Sequence, residues 1–298
     1  MPEPRTDRAR GALFGLAVGD ALGTTLEFAR PDVPSFPTRL EGPHRTITGA
    51  GPFRLTAGEV TDDTQMACCL AASLTERDAF DASDVLSRYK RWSLVAFDVG
   101  LQTRAALSFA ADGGRAVWER RTGEKPAGNG SLMRTAPIGV RFAEDDDARV
   151  ATSWADSSLT HFDPRCLFAC VAFNGAVAAG VRGASTVEML AAATHDLEAA
   201  RARYVKARSH IRAELTSGAR AIADDLRFAE APDPHLESVS SEGGLDRGGD
   251  ADTNGAITGA LLGARHGEKA IPATWRDRVL NARGLEPRYH PRVLLEMI

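Results

Sequence analysis

Gly248-Gly249-Asp250-Ala251-Asp252-Thr253-Asn254-Gly255-Ala256 carries two carboxylates one residue apart, a hydroxyl directly after them and small residues on both sides. The glycines allow a tight turn, and Asp252, Thr253 and Asn254 are residue types that cap a helix N-terminus well. The stretch therefore reads as a turn that offers oxygen ligands to a hard cation and then opens a helix. Taken alone, it is ordinary capping and dipole chemistry. A second stretch changes the weighting. Thr61-Asp62-Asp63-Thr64, ahead of the apolar run from Met66 to Leu70, repeats the ingredients: hydroxyl, two carboxylates, hydroxyl, helix. If the fold brings these two helix starts together, their acids can hold two divalent metals.

Working outward from the first motif, Gly255, Gly259, Gly263 and Gly267 recur every fourth residue, and so do Gly11, Gly15, Gly19 and Gly23 in the segment from residue 9 to 23. Glycine costs about 1 kcal/mol relative to alanine inside a helix, so such a stripe needs a packing reason. The reason is close backbone approach, and the two segments are predicted to be core helices packed on each other, joining the two ends of the chain. Membrane helix pairs use similar spacing, but these segments are too short and too interrupted. Asp20, amid Gly, Ala and Leu, reads as an acid solvated at a helix end. Glu27, just beyond, is free to point into the site.

Between these ends the pattern is helical. The stretch from Arg30 to Val60, with five prolines, is predicted to be a long irregular loop of the kind that forms lids or binding loops. Helices are predicted over Gln65 to Thr75, from a cap at Asp84 to Trp92, and over Leu101 to Ala111 after Phe97-Asp98-Val99-Gly100. They continue through Val140 after Gly128-Asn129-Gly130-Ser131-Leu132-Met133-Arg134, and over Asp145 to Leu159, Pro164 to Gly180 and residues 183 to 228. Asp98 is most simply an N-cap and also a candidate functional acid. The Asn-Gly turn is either a plain connection or a set of backbone N–H groups ready for an anion such as a diphosphate. His161, between two helices, reads as a polar surface residue. Pro232 to Gly249 is polar and irregular. Strand-like alternation is almost absent and aromatics are only 6%, so an all-α domain is expected.

With 298 residues, 43% of them hydrophobic, the chain can bury a large core as one big domain or two ordinary ones. A formal net charge of −4, with arginines scattered among acids, does not point to nucleic acid or a membrane surface as partner. The apolar stretch near the N-terminus is broken by Gly15, Gly19 and Asp20, and no segment is read as membrane-spanning, so a cytoplasmic location is expected. Cys68, Cys69, Cys166 and Cys170 lie in apolar helical stretches without zinc spacing and read as buried thiols.

Five stretches taken together resemble the ADP-ribosylglycohydrolase family, the group that includes dinitrogenase reductase-activating glycohydrolase. They are Gly15 to Gly23 with Glu27, Val60 to Thr64, Gly128 to Arg134, Leu159-Thr160-His161, and Gly249 to Asn254, in order over about residues 10 to 270. The resemblance implies a compact all-α multi-helix bundle, one domain over 1–298 with its metal site at helix N-termini, and hydrolysis of the bond between ADP-ribose and an acceptor. It implies two Mg²⁺ or Mn²⁺ ions held by Thr61, Asp62, Asp63, Asp250, Asp252 and Thr253, with Glu27 a further ligand or gate. Asn129, Gly130, Ser131 and Met133 would line the ADP-ribose channel, with His161 near the diphosphate or distal ribose. Asp98, in Phe-Asp-Val-Gly, resembles the corresponding acid of arginine-directed members and favours ADP-ribosyl-arginine on a protein as substrate.

The chemistry agrees with these residue types. Carboxylates and hydroxyls suit Mg²⁺ or Mn²⁺ rather than zinc. Asp62 or Asp63 is the candidate water-activating acid, with Glu27 and Asp98 as further catalytic candidates and ring opening assisted by Asp98 a conceivable variant. The family usually carries an apolar helical segment before the second acidic motif, whereas residues 236 to 249 here are polar and shortened. Serine-linked or small-molecule ADP-ribose conjugates, a non-catalytic ADP-ribose-binding relative, and a two-metal phosphate-ester hydrolase are the competing readings.

Overall fold

The computed structural model of the chain describes residues 3–28, 46–230 and 250–298. Most of the loop expected from Arg30, the polar stretch from Pro232, the shortened segment 236–249, and Gly248 and Gly249 of the opening motif lie outside the described residues.

Thirteen helices make up the described chain, and the only strand-type pairing there is an isolated bridge between Ala50 and Leu55. The first helix, α1 (Pro4–Gly23), begins with proline in its first turn, where the missing N–H costs nothing. It lies along α11 (Ala251–His266) at the closest distance two helices permit. A Cβ built on Gly15 would stand 2.2 Å from the Gly259 carbonyl oxygen, one on Gly19 1.9 Å from that of Gly255, and one on Gly263 1.8 Å from that of Gly11. The two stripes do meet, and at Gly11, Gly15, Gly19, Gly23, Gly259 and Gly263 any side chain would run into the facing backbone. Through it the first and last thirds of the chain become neighbours.

Around this pair stand α2 (Asp62–Arg77), α3 (Ala82–Ser93), α4 (Leu101–Leu107), α5 (Gly113–Arg120), α6 (Ala136–Arg141), α7 (Asp146–Thr160), α8 (Pro164–Arg182), α9 (Thr186–Ala207) and α10 (Arg212–Glu230). Two short helices, α12 (Ala273–Leu280) and α13 (Arg292–Leu295), close the C-terminal end. Caps explain most boundaries. Asp145 accepts from the Ala148 N–H, Asp163 from Arg165, and Ser185 forms a reciprocal capping box with Glu188. Asp81, not Asp84, caps α3, because Asp84 falls in its first turn and pairs with Arg88. The expected continuous helix over 183–228 is broken at Arg208, and α4 stops at Leu107 rather than Ala111.

Helix α8 is apolar on all sides and long enough to cross a membrane, which the sequence reading had not anticipated; here nearly all of it is buried by neighbouring helices. Its one buried amide is fully used. Asn174 donates to Thr135 and Ser153 at 2.8 Å each and accepts from the Gly139 N–H at 3.2 Å. All four cysteines are buried and free, as expected, and burial raises their thiols. Residues 46–60 are more ordered than a lid: Ile47 and Val60 are buried, and Gly51 packs on Thr24.

Candidate active site

The seam between α1 and α11 positions the site, because α11 starts beside the end of α1 and α2 starts beside both. Asp20, one turn from the end of α1, is completely buried. Its carboxylate accepts from the Thr61 N–H at 3.1 Å, the Thr61 hydroxyl at 2.9 Å, the Thr64 N–H at 3.2 Å and the Thr64 hydroxyl at 2.5 Å. Thr61 is the N-cap of α2 but makes no capping bond of its own. The cap is supplied instead from a helix 41 residues earlier in the chain. The expectation of a solvated Asp20 is thus reversed: the first acidic motif needs an acceptor for its unpaired N–H groups, and Asp20 is that acceptor.

Glu27 does for α11 what Asp20 does for α2. Its Oε2 accepts from the N–H of Ala251 at 2.6 Å and of Asp252 at 3.3 Å. Asn129 Nδ2 donates to Asp250 Oδ2 at 2.6 Å, which ties the Asn-Gly turn to the same helix start. Both acidic motifs therefore face one cavity of about 300 Å³, lined by Glu27, Asp62, Asp63, Asp98, Asp250 and Asp252 together with Asn129, Gly130 and His161. Ligand oxygens of Glu27, Asp250 and Asp252 lie within 4.8 Å of one another.

So many acids in one dry place raise each other. Burial, then repulsion from Asp252, pushes Asp20 up to about 7 against the pull of the Thr64 and Thr61 hydrogen bonds. Glu27 goes up to about 9 through burial and its contact with Asp252. Burial drives Asp62 and Asp63 well above the usual carboxylate range, helped most by Asp98 for the former and Asp20 for the latter. Asp98 and Asp252 are raised for the same first reason. Asp63 Oδ1 is buried without any hydrogen-bond partner. A cluster of raised carboxylates with an orphaned oxygen, all hard donors and no thiolate among them, fits a divalent cation of the Mg²⁺ or Mn²⁺ type.

The turn Gly128–Arg134 is shaped by His161. That residue is buried at the end of α7, not on the surface, and a Cβ on Gly130 would stand 2.8 Å from its ring. Burial, with Arg134 nearby, lowers His161 to about 3, so it is a neutral imidazole. Its Nδ1 meets Thr160 Oγ1 at 2.8 Å. The same hydroxyl accepts from Arg134 at 2.9 Å, and Arg134 also donates to the Gly130 carbonyl at 3.0 Å and pairs with the buried Asp156. Arg134 and Asp156 thus hold the turn and the histidine in one network.

Several expected residues point elsewhere. Ser131 is turned inward, bonded to Ser157 at 2.9 Å, and does not line the cavity. The Thr61 hydroxyl is spent on Asp20 and, at 3.3 Å, on Asp63. The Thr253 hydroxyl approaches the Met133 sulfur, and both residues line the cavity. Asp98 caps nothing: Gly100 is the N-cap of α4, and Asp98 sits half-buried on the cavity wall beside Asp62. The turn does not open a helix directly, since the six-residue α6 starts only at Ala136 and the Leu132 and Met133 N–H groups bond back to the Asn129 carbonyl. Gly128, from the quoted turn, also lines the cavity, as do Gln102 and Thr103, which carried no signal in the sequence.

A model of the ADP-ribosylglycohydrolase family matches residues 1–296. The chain belongs to the ADP-ribosylglycohydrolase family. It is 33% identical over 297 residues to ADP-ribosylarginine hydrolase Tri1 of Pseudomonas putida (strain GB-1), covering 93% of this chain and 76% of that protein. It is 30% identical over 281 residues to the ADP-ribosyl-(dinitrogen reductase) glycohydrolase of Rhodospirillum rubrum, covering 92% of this chain and 90% of that protein. A solved structure described as an ADP-ribosylglycohydrolase-related protein complex superposes with a TM-score of 0.65 at 31% identity, over 98% of this chain and 97% of that one. This ADP-ribosylglycohydrolase is accordingly an enzyme that removes ADP-ribose, and both the all-α fold and the family resemblance read from its sequence hold.

Proposed function

We propose that this ADP-ribosylglycohydrolase is a metal-dependent enzyme that frees ADP-ribose from arginine on modified cytoplasmic proteins, all its parts supplied by one domain over 1–298. The observation that carries the reading is the convergence of two helix N-termini, each bearing paired acids, on one cavity that an Asn-Gly turn and a neutral histidine also line. Asp62, Asp63, Asp250 and Asp252, with Thr253, would hold two Mg²⁺ or Mn²⁺ ions, with Glu27, whose oxygen lies within 4.8 Å of theirs at Asp250 and Asp252, a further ligand; Thr61 would join them only if its hydroxyl left Asp20. When bound, the ions supply Lewis acidity at the ribose.

The chain's own groups do the rest. Asp62 or Asp63, in its ionised form, takes a proton from the attacking water, and those neighbouring carboxylates that are ionised favour the positive charge that develops on the ribose in an oxocarbenium-like transition state. Asp98, beside Asp62, stands where the proton on the departing guanidine or the ribose ring oxygen is handled. Gly130 and His161 bound the pocket for the nucleotide half, and the missing side chain at Gly130 leaves the imidazole in contact with the turn. Arginine as acceptor is supported by Asp98 in its Phe-Asp-Val-Gly setting and by the two relatives above, one named an ADP-ribosylarginine hydrolase.

The test is release of ADP-ribose from arginine-linked and serine-linked modified proteins, with Mg²⁺, with Mn²⁺ and with EDTA, for the wild type and Asp62→Ala. Release from the arginine linkage that stops with EDTA and falls by roughly 100-fold or more in the variant is expected. Release from serine alone, or release indifferent to EDTA, refutes it.

A further inference from the structure

Three of the nine large hydrophobic side chains that stand exposed among the described residues adjoin the candidate active site: Phe28 and Leu101 directly, and Phe97 through an aromatic chain. Leu101 is 87% exposed and Phe28 68% exposed, and both line the mouth of the acidic cavity itself. An aromatic ladder extends the patch outward. The Phe28 ring meets the half-buried Phe53 at 6.3 Å between centroids, and Phe53 meets Phe97 at 5.7 Å. Phe28 is also held in the left-handed region at φ 58°, a conformation that costs a non-glycine residue of order 1 kcal/mol and persists where its surroundings impose it. An apolar patch of this kind at a polar cavity contributes nothing to holding sugar hydroxyls, diphosphate or metal, whose partners are carboxylates and N–H groups.

We infer that this rim, Phe28–Phe53–Phe97 with Leu101, is the docking surface for the protein that carries the ADP-ribosyl group, and that it selects carriers with apolar side chains flanking the modified residue. The inference rests on the proposed function, since it needs a macromolecular acceptor. The rim is continuous with the cavity through Phe28 and Leu101, so a polypeptide whose modified side chain reaches the acids passes over these residues. Exposed aromatics beside a polar slot are the usual make-up of an interface core, where a few rigid apolar anchors dominate affinity. Clustering separates the patch from ordinary scatter, because single exposed hydrophobics elsewhere on the surface need no explanation.

The experiment uses three probes: free ADP-ribosyl-arginine, a peptide ADP-ribosylated on a central arginine with leucine and phenylalanine two and three residues away, and the same peptide with serines there. The enzyme is compared with the variant Phe97→Ser, a residue that does not line the cavity. The wild type is expected to favour the apolar peptide over the serine peptide by about 10-fold in kcat/KM, through KM, and the variant to lose that preference. Unchanged turnover of free ADP-ribosyl-arginine shows that the variant is folded and its cavity intact. Equal use of both peptides by the wild type overturns the inference, as does a preference that survives the variant. An equal loss on the free compound overturns it too, by showing that the rim serves the nucleotide. A wild-type dimer that the variant dissolves, with peptide kinetics unchanged, assigns the rim to a second copy and overturns it likewise. No release from any probe removes the arginine reading itself, and the rim assignment falls with it.

Discussion

Replacing Gly19 by alanine tests the seam on which the site depends. In an ordinary helix interior the change stabilises by about 1 kcal/mol, because alanine is the better helix former. Here the new methyl would lie 1.9 Å from the Gly255 carbonyl oxygen and 2.4 Å from its carbon, both backbone atoms that no rotamer change can move aside. The helices must separate by roughly 1 Å, which forfeits a quarter to a half of the dispersion energy at the contact. Overpacking of this kind costs about 1–3 kcal/mol, and with the clash falling on backbone atoms we take the top of that range, a net loss near 2 kcal/mol after the helix gain. At about 2.1 cal/mol/K per residue, a chain of this size loses roughly 3 °C in Tm. Thermal and urea unfolding followed by circular dichroism measure it. Gly100→Ala is the control, since a methyl there meets only Thr103 Oγ1 at 3.9 Å and should shift stability by less than about 1 kcal/mol. Because Asp20 follows Gly19 directly and Asp252 opens the helix that Gly255 belongs to, calorimetric affinity for Mn²⁺ should fall as well. A Gly19→Ala protein that is as stable as the wild type or more so refutes the close-approach account.

Two further outcomes follow from the site. In EDTA the folded protein holds protons on Asp20 (about 7) and Glu27 (about 9) that the unfolded chain releases near pH 4, so stability should be greatest at the acid end and fall as pH rises from about 5 to 9. Saturating Mn²⁺, at about 100 times its Kd, should add about 2.7 kcal/mol, or roughly 4 °C in Tm; a flat EDTA profile between pH 5 and 9 contradicts the burial argument. Thr160→Val keeps the shape but removes the hydroxyl shared by Arg134 and His161, and should cost about 1–2 kcal/mol in urea unfolding and weaken ADP-ribose binding by about fivefold in calorimetry. Unaltered ADP-ribose affinity would show that the network does not position the turn.

Local order was legible in the amino-acid sequence because its causes are local. Glycines every fourth residue have a steric meaning only where two backbones touch, so the pairing of α1 with α11 could be read from Gly11 to Gly23 and Gly255 to Gly267 alone. Acids and hydroxyls at the starts of α2 and α11 likewise announced two helix N-termini suited to a hard cation. What tertiary structure decided is the direction of each side chain and the water around it. A carboxylate in a helix looks the same in sequence whether it is solvated or, like Asp20, caps a second helix out of reach of water. Ser131 and Gly130 are adjacent, yet one faces the core and the other the cavity, because a turn sends successive residues to opposite sides. His161 and Arg134 are polar by composition and buried in fact, since each finds its partners only when α7 is laid against the Gly128–Arg134 turn. The apolar rim is assembled from residues 28, 53, 97 and 101, drawn from three separate stretches with no common pattern, and a shared surface is something only a folded chain has.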